Sequence, residues 1–308
     1  MRALRDRTRQ TTDQNHRHAR RGAAHALAVA LPFLACAPPA SVTASPSPPP
    51  TDAGKTKPPL GIGFLWTAQS DQVVHRLKSE KDFVDLILGP GKLDVFQRVK
   101  PPVRVLCIAR SLEKNDARPF PGIKETIEIL RKAGVAPERV IVCYNPEGQP
   151  GTPSEEFREL VASSRKAKAM AKTYGAPLMV GPGLRDMQTR EHLYPELAKT
   201  CDMWMIQSQR LQLDEATRKP VDVAVYREKV KRIVDKLREG NPKIGIFVQL
   251  VTTAERGSVT LSAEKIAEFA RSIEDLVDAV RIYGAPAELL NEIIDRLRAP
   301  KSENQEPR

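Results

Sequence analysis

From residue 60 onward, short apolar runs alternate with amphipathic stretches, and no other feature of this sequence limits the fold so strongly. The runs lie at 60–66, 103–110, 139–144, 177–181, 203–207, 244–250 and 279–283. They are near-continuous series of aliphatic and β-branched residues, the pattern of strands covered on both faces. Strands of that kind separated by helical stretches predict βα units and a parallel sheet.

The stretches between the runs carry helix markers. Ile123, Ile127 and Leu130 share a face that ends at Gly134, a residue suited to the position after a helix. Thr152, Pro153, Ser154 and Glu155 read as an N-cap, a proline at the first helical position and a capping-box glutamate, with Phe157, Leu160 and Val161 turned inward. Val230, Ile233, Val234 and Leu237 form an apolar stripe stopped by Gly240. Ser262 caps a helix whose buried face is Ile266, Phe269, Ile273 and Val277, while the charged run 165–172 is a solvated helix face.

Seven strands are clear. An eighth at 83–88, punctuated by Gly89-Pro90-Gly91 and followed by a short helix over 92–99, completes a (β/α)8 TIM-like barrel over residues 60–299. A competing reading makes 71–88 one helix, because Val73, Leu77, Phe83 and Ile87 follow helical spacing. A doubly wound open sheet is the alternative architecture, but no GxGxxG follows the first strand.

The N-terminal 36 residues read as an export signal: an arginine-rich start, an apolar stretch at 23–35 and a small-residue exit. Thirteen apolar residues are too short to span a bilayer as a helix. Phe33-Leu34-Ala35 before Cys36 resembles a bacterial lipobox, with Phe33 in place of the usual leucine. The resemblance implies lipidation at Cys36 and a membrane anchor; plain secretion is the other reading. Residues 37–59 are proline, serine, threonine and alanine with nothing to pack, hence a disordered tether, and 300–308 reads as a disordered tail.

The net charge of +11 suggests nucleic acid. Yet seven arginines against two acids lie in residues 1–36, so a surplus of five belongs to the signal. In the rest, acids and bases are interspersed and aromatics are scarce, which predicts no nucleic-acid partner. A monomer is expected.

Function on a barrel lies at the C-terminal strand ends. These offer Trp66, Arg110, Asn145, Glu147, Asp186, Gln207, Gln209, Gln249 and Tyr283. The two histidines beyond residue 60, His75 and His192, end no strand, so no metal site and no histidine-based triad is expected. No lysine ends a strand, against a Schiff-base aldolase, and no cofactor motif is present. Cys107, Cys143 and Cys201 read as buried free thiols.

A polar, metal-free rim of amides, arginine and aromatics suits carbohydrate. Asn145-Pro146-Glu147 resembles the Asn-Glu element of (β/α)8 glycoside hydrolases, with a proline inserted. That resemblance implies Glu147 as the acid/base, but the second carboxylate expected at the seventh strand is replaced by Gln249. Asp186 or Glu255 would have to supply the partner. Two readings follow. A metal-independent hydrolase of the cell envelope requires a second carboxyl near Glu147. A non-catalytic binding protein requires the amides and Arg110 to converge, with Glu147 isolated or ion-paired.

Overall fold

The computed structural model describes residues 59–113, 120–148, 151–254 and 259–300. The signal, the lipobox cysteine Cys36, most of the tether, Glu255 and the tail lie outside these residues. Eight parallel strands close into a barrel. They are β1 (Gly61–Leu65), β2 (Phe83–Leu86), β3 (Arg104–Ala109), β4 (Val140–Tyr144), β5 (Leu178–Val180), β6 (Met203–Gln207), β7 (Gly245–Val251) and β10 (Ala279–Tyr283). A small antiparallel pair, β8 (Thr253–Ala254) and β9 (Val259–Thr260), stands between the last two. First and last strands pair in parallel, Gly61 beside Ala279 and Phe64 beside Ile282.

The helices are α1 (Val95–Arg98), α2 (Ile123–Lys132), α3 (Ser154–Arg158), α4 (Leu160–Tyr174), α5 (Leu184–Met187), α6 (Tyr194–Ala198), α7 (Val223–Gly240), α8 (Ala263–Ser272) and α9 (Ala287–Arg298). Their apolar faces cover the outside of the barrel. On α7 the buried positions are Tyr226, Val230, Ile233, Val234 and Leu237, and Asp222 caps its start by accepting from the Ala224 amide at 2.8 Å. Ser262 caps α8 through the Lys265 amide at 3.2 Å.

Phe83 pairs in β2 with Gly63 and Arg104, which settles the eighth strand; residues 70–76 form two short 3-10 turns instead of one long helix. The capping box at 152–155 is not formed. Pro153 holds the N-cap position of α3 without a side-chain bond, because the Thr152 hydroxyl is used elsewhere. Gly240 is the last residue of α7, where the sequence places the end of the stripe, and Asn241 takes the C-cap position.

Inside the barrel, Phe83, Ile141, Met179, Phe247 and Ala279 fill the N-terminal half. Phe83 and Phe247 meet edge to face at 5.2 Å, a favoured aromatic geometry. Gly63 makes room for this packing: a Cβ there would lie 2.3 Å from the Phe83 ring. Cys143 belongs to this interior set, whereas Cys107 faces the helices from the other side of the sheet. Opposite faces keep the two thiols apart, and all three described cysteines are free and buried. Burial pushes the thiols of Cys143 and Cys201 up to about 12, and that of Cys107 higher still.

Candidate functional site at the C-terminal mouth

Above the aromatic plug the barrel opens into a cavity of about 300 Å³ floored by Leu106, Ile108, Cys143 and Met205. Its walls bring together Arg110, Asn145, Glu147, Gln207, Gln209, Gln249 and Tyr283. Arg281, which the sequence reading passed over, also lines it.

Each side chain is aimed by its strand or by the turn just after it. The Arg110 guanidinium lies 3.1 Å from Glu147 Oε2 and stacks 4.1 Å above the Phe120 ring. Thr152 holds these two loops together: its hydroxyl donates to the Arg110 carbonyl at 2.7 Å and accepts from the Glu147 amide at 3.0 Å. This double role is why Thr152 caps no helix. Ser208, at the head of the 3-10 turn after β6, donates to the Gln249 carbonyl at 2.7 Å and contacts the Tyr226 hydroxyl at 2.8 Å. That anchoring turns Gln209 across the mouth.

The polar groups form one directed chain. Arg281 grips Asp85 with two nitrogens, Nε at 2.8 Å from Oδ1 and Nη2 on Oδ2, and gives its third nitrogen to Gln249 Oε1. Gln249 Nε2 donates to Gln209 Oε1 at 3.2 Å, and Gln209 Nε2 to Gln207 Oε1 at 3.3 Å. Gln207 Nε2 donates to Asn145 Oδ1 and to the Gly181 carbonyl, both at 2.9 Å. Asn145 Nδ2 ends the series on Glu147 Oε1 at 3.1 Å. A guanidinium can only donate and a carboxylate group accepts. The two ends therefore impose the same direction on every amide between them.

Asp85 is fully buried and Arg281 nearly so. Burial alone would lower the arginine's proton affinity, but the charge and hydrogen bonds of Asp85 outweigh it and hold the guanidinium above its ordinary value. A charge of each sign inside the apolar runs of β2 and β10, the two neighbours of β1, was the available signal for this pair. Charges within doubly covered strands survive only when paired.

Other expected residues sit elsewhere. Trp66 packs against the outer core and does not line the cavity; its side chain leaves the mouth because its backbone continues β1 past the rim, donating to the Asp85 carbonyl. Asp186 accepts from the Gly148 amide at 3.2 Å and lines a shallow groove beside the mouth, which Glu147 also touches. Among the described residues no group of three or more histidine, cysteine or acidic side chains could hold a metal ion. No described helix is long and apolar enough to cross a membrane.

No family model and no curated protein sequence matches this chain. Among solved structures it is similar to the catalytic domain of a family GH18 chitinase from the fern Peteris ryukyuensis, with 10% identity over 76% of this chain and 97% of that one, at a TM-score of 0.50. It is also similar to the PgaB (BpsB) glycoside hydrolase domain from Bordetella bronchiseptica, with 11% identity, 80% and 100% coverage and a TM-score of 0.48. The YdjI aldolase from Escherichia coli K12 gives 11% identity, 78% and 87% coverage and a TM-score of 0.40. The fold is shared. One barrel fold carries many chemistries, so function has to come from the site.

Proposed function

We propose that this protein is a carbohydrate-binding barrel of the bacterial cell envelope that holds its ligand at the C-terminal mouth without cleaving it. One observation carries this reading: both oxygens of Glu147 are engaged, by Arg110 on one side and Asn145 on the other, at the end of the directed polar chain. Asp85 is locked in the fork of Arg281, so the described cavity wall presents no second carboxylate to pair with Glu147.

The chemistry suits a neutral polyhydroxylated ligand. The ion pairs Arg110–Glu147 and Arg281–Asp85 cancel within the wall. Sugar hydroxyls donate and accept at once, as the remaining N–H groups and lone pairs of Gln249, Gln209 and Asn145 require. Tyr283, 41% exposed beside the cavity, offers an aromatic surface for the apolar side of a ring. Losing one neutral amide contact costs about 0.5–1.5 kcal/mol, a few-fold to tenfold in affinity. Gln249→Leu is therefore expected to weaken glycan binding by about that factor.

A hydrolase reading has one supporting observation, the groove that Glu147 and Asp186 line together. A glycan array with a parallel hydrolysis screen separates the two readings. Binding without turnover, with Glu147→Gln altering affinity, supports the binding protein; turnover abolished by Glu147→Gln replaces it with the enzyme. Export by the arginine-rich segment, anchoring through a lipid on Cys36 and a monomeric state complete the proposal. Labelling with a fatty-acid probe that is lost in Cys36→Ala tests the anchor, and an unlabelled wild-type protein removes it.

A further inference from the structure

The mouth cavity is built in two layers. On β3, β4 and β6 an apolar residue lies two positions before each polar wall residue: Ile108 before Arg110, Cys143 before Asn145 and Met205 before Gln207. Residues two apart on a strand share a face, and Ile108 sits directly beside Cys143 in the register of β3 and β4. Two strand positions, at the tilt of such a barrel, put the apolar layer about 5 Å beneath the polar one. We infer that the bound sugar unit carries a short apolar substituent, a methyl or an acyl group, which fills the lower layer while the ring hydroxyls meet the amides above. The inference rests on the carbohydrate reading and narrows it from sugars in general to one substituted class.

Three observations carry it. First, the floor has little to offer a hydroxyl. Leu106, Ile108 and Met205 present carbon and thioether surface, and Cys143 only a weakly polar thiol. The strand backbone around them is committed to the barrel, and the Gly181 carbonyl beside the floor already accepts from Gln207 at 2.9 Å. A hydroxyl lowered there gives up water without gaining a partner, which costs affinity.

Second, the floor cannot rise to close the space above it. Leu106, Ile108, Cys143 and Met205 are each 7% exposed or less, gripped from below and from the sides, yet they line an open cavity of about 300 Å³. On β5 the matching upper position is Gly181, two past the interior Met179, and it has no side chain to bar the passage between layers. A hydroxyl reaches one bond from a sugar ring and cannot span that step; a pendant methyl or acyl group extends an apolar tip into it. Third, the amides above are already bonded to one another from Gln249 to Asn145. Ring hydroxyls gain only their remaining valences, so selection among sugars falls to the floor, where each buried methyl tightens binding about fourfold.

The test is calorimetric titration of the full-length protein with gluco, galacto and manno sugars, each as the unsubstituted ring, the 6-deoxy sugar and the 2-acetamido-2-deoxy sugar. In at least one series a substituted member should bind about fourfold tighter or more than the unsubstituted ring, and which member does so names the group as methyl or acyl. The Met205 methyl resonance, assigned by its loss in Met205→Leu, should shift with that sugar and stay in place with the unsubstituted ring. Cys143→Ser and Ile108→Thr make the floor polar with little change of shape, and should bring the substituted-to-unsubstituted ratio towards one. The resonance is read on the parent protein, so it decides the matter even if a variant fails to fold. Equal binding within every series, or a preference that leaves the Met205 resonance unmoved, overturns the apolar seat and leaves the carbohydrate reading standing. Failure of every sugar to bind overturns both.

Discussion

Arg281 and Asp85 show what single side chains cost and contribute inside this barrel. Both are taken out of water, and the penalty is offset only because the fork contact is bidentate and the third nitrogen is satisfied by Gln249. Arg281→Met leaves a buried carboxylate alone, and denaturant unfolding should show a loss of about 3–5 kcal/mol. The double replacement Asp85→Leu with Arg281→Met should recover most of that stability. It should still bind glycan poorly, because nothing then orients the Gln249 carbonyl. Glu156 gives a pH-dependent case. Burial raises its pKa above the ordinary 4.5, against the opposing hydrogen bonds from the Leu112 amide and the Tyr144 hydroxyl. A carboxyl that holds its proton more tightly when folded stabilises most when protonated, and that contribution falls as pH rises from the unfolded value through the folded one. Melting measured between about pH 4 and 7 should thus decline less in Glu156→Gln than in the parent. At this scale Asn145 and Gln207 were legible in the sequence because they follow or end apolar runs, and Gln249 because it is a polar residue near the end of one. Asp85, Arg281, Ser208 and Thr152 were not, because their roles exist only through partners 30 to 200 positions distant or across a loop.

Elements are placed by close approaches that sequence periodicity does not express. A Cβ on Gly240 would lie 1.9 Å from the Pro195 carbonyl oxygen, so α7 rests directly on the backbone of α6. Backbone cannot swing aside as a side-chain tip can, and Gly240→Ala should lower stability by about 1–3 kcal/mol or more in chemical denaturation. The network of Glu191 with Arg232 and Lys236 on α7 lies at the surface, Arg232 exposed and the other two half-buried. Those partners lower the Glu191 pKa, so its contribution is present above the usual glutamate value and lost as pH falls through the lowered one. Glu191→Gln should cost under about 1 kcal/mol at neutral pH. The strands were readable because coverage on both faces demands unbroken apolar runs, and β2 was readable from the glycine-proline punctuation after it. Gly240 ends α7 as its letter suggests, but the sequence does not show that it is also needed for clearance against the Pro195 backbone.

The molecule as a whole depends on a closure made between its two ends. β1 pairs with β10, and α9 behind them buries Leu290, Ile293 and Ile294. Arg298 at the end of α9 reaches back to the Leu60 carbonyl and to the buried Asp82, which in turn accepts from the Ile62 amide. Removal of residues 287–308 should therefore abolish cooperative thermal unfolding rather than shift its midpoint. Removal of residues 1–55 should leave the midpoint within about 2 °C, since the described core lies beyond them.

The aromatic plug has a directional consequence. Phe83, Phe247 and their neighbours fill the end of the barrel at which β1 begins, so among the described residues the cavity is a well that opens at the C-terminal mouth. Arrival and departure share that doorway, and two ligands cannot queue through it. The chain enters the barrel at the sealed end, so a support grafted to the protein just ahead of Pro59 leaves the doorway facing outward. A sensor chip coupled at that point should report the same affinity as free solution, and one coupled beside Tyr283 should not.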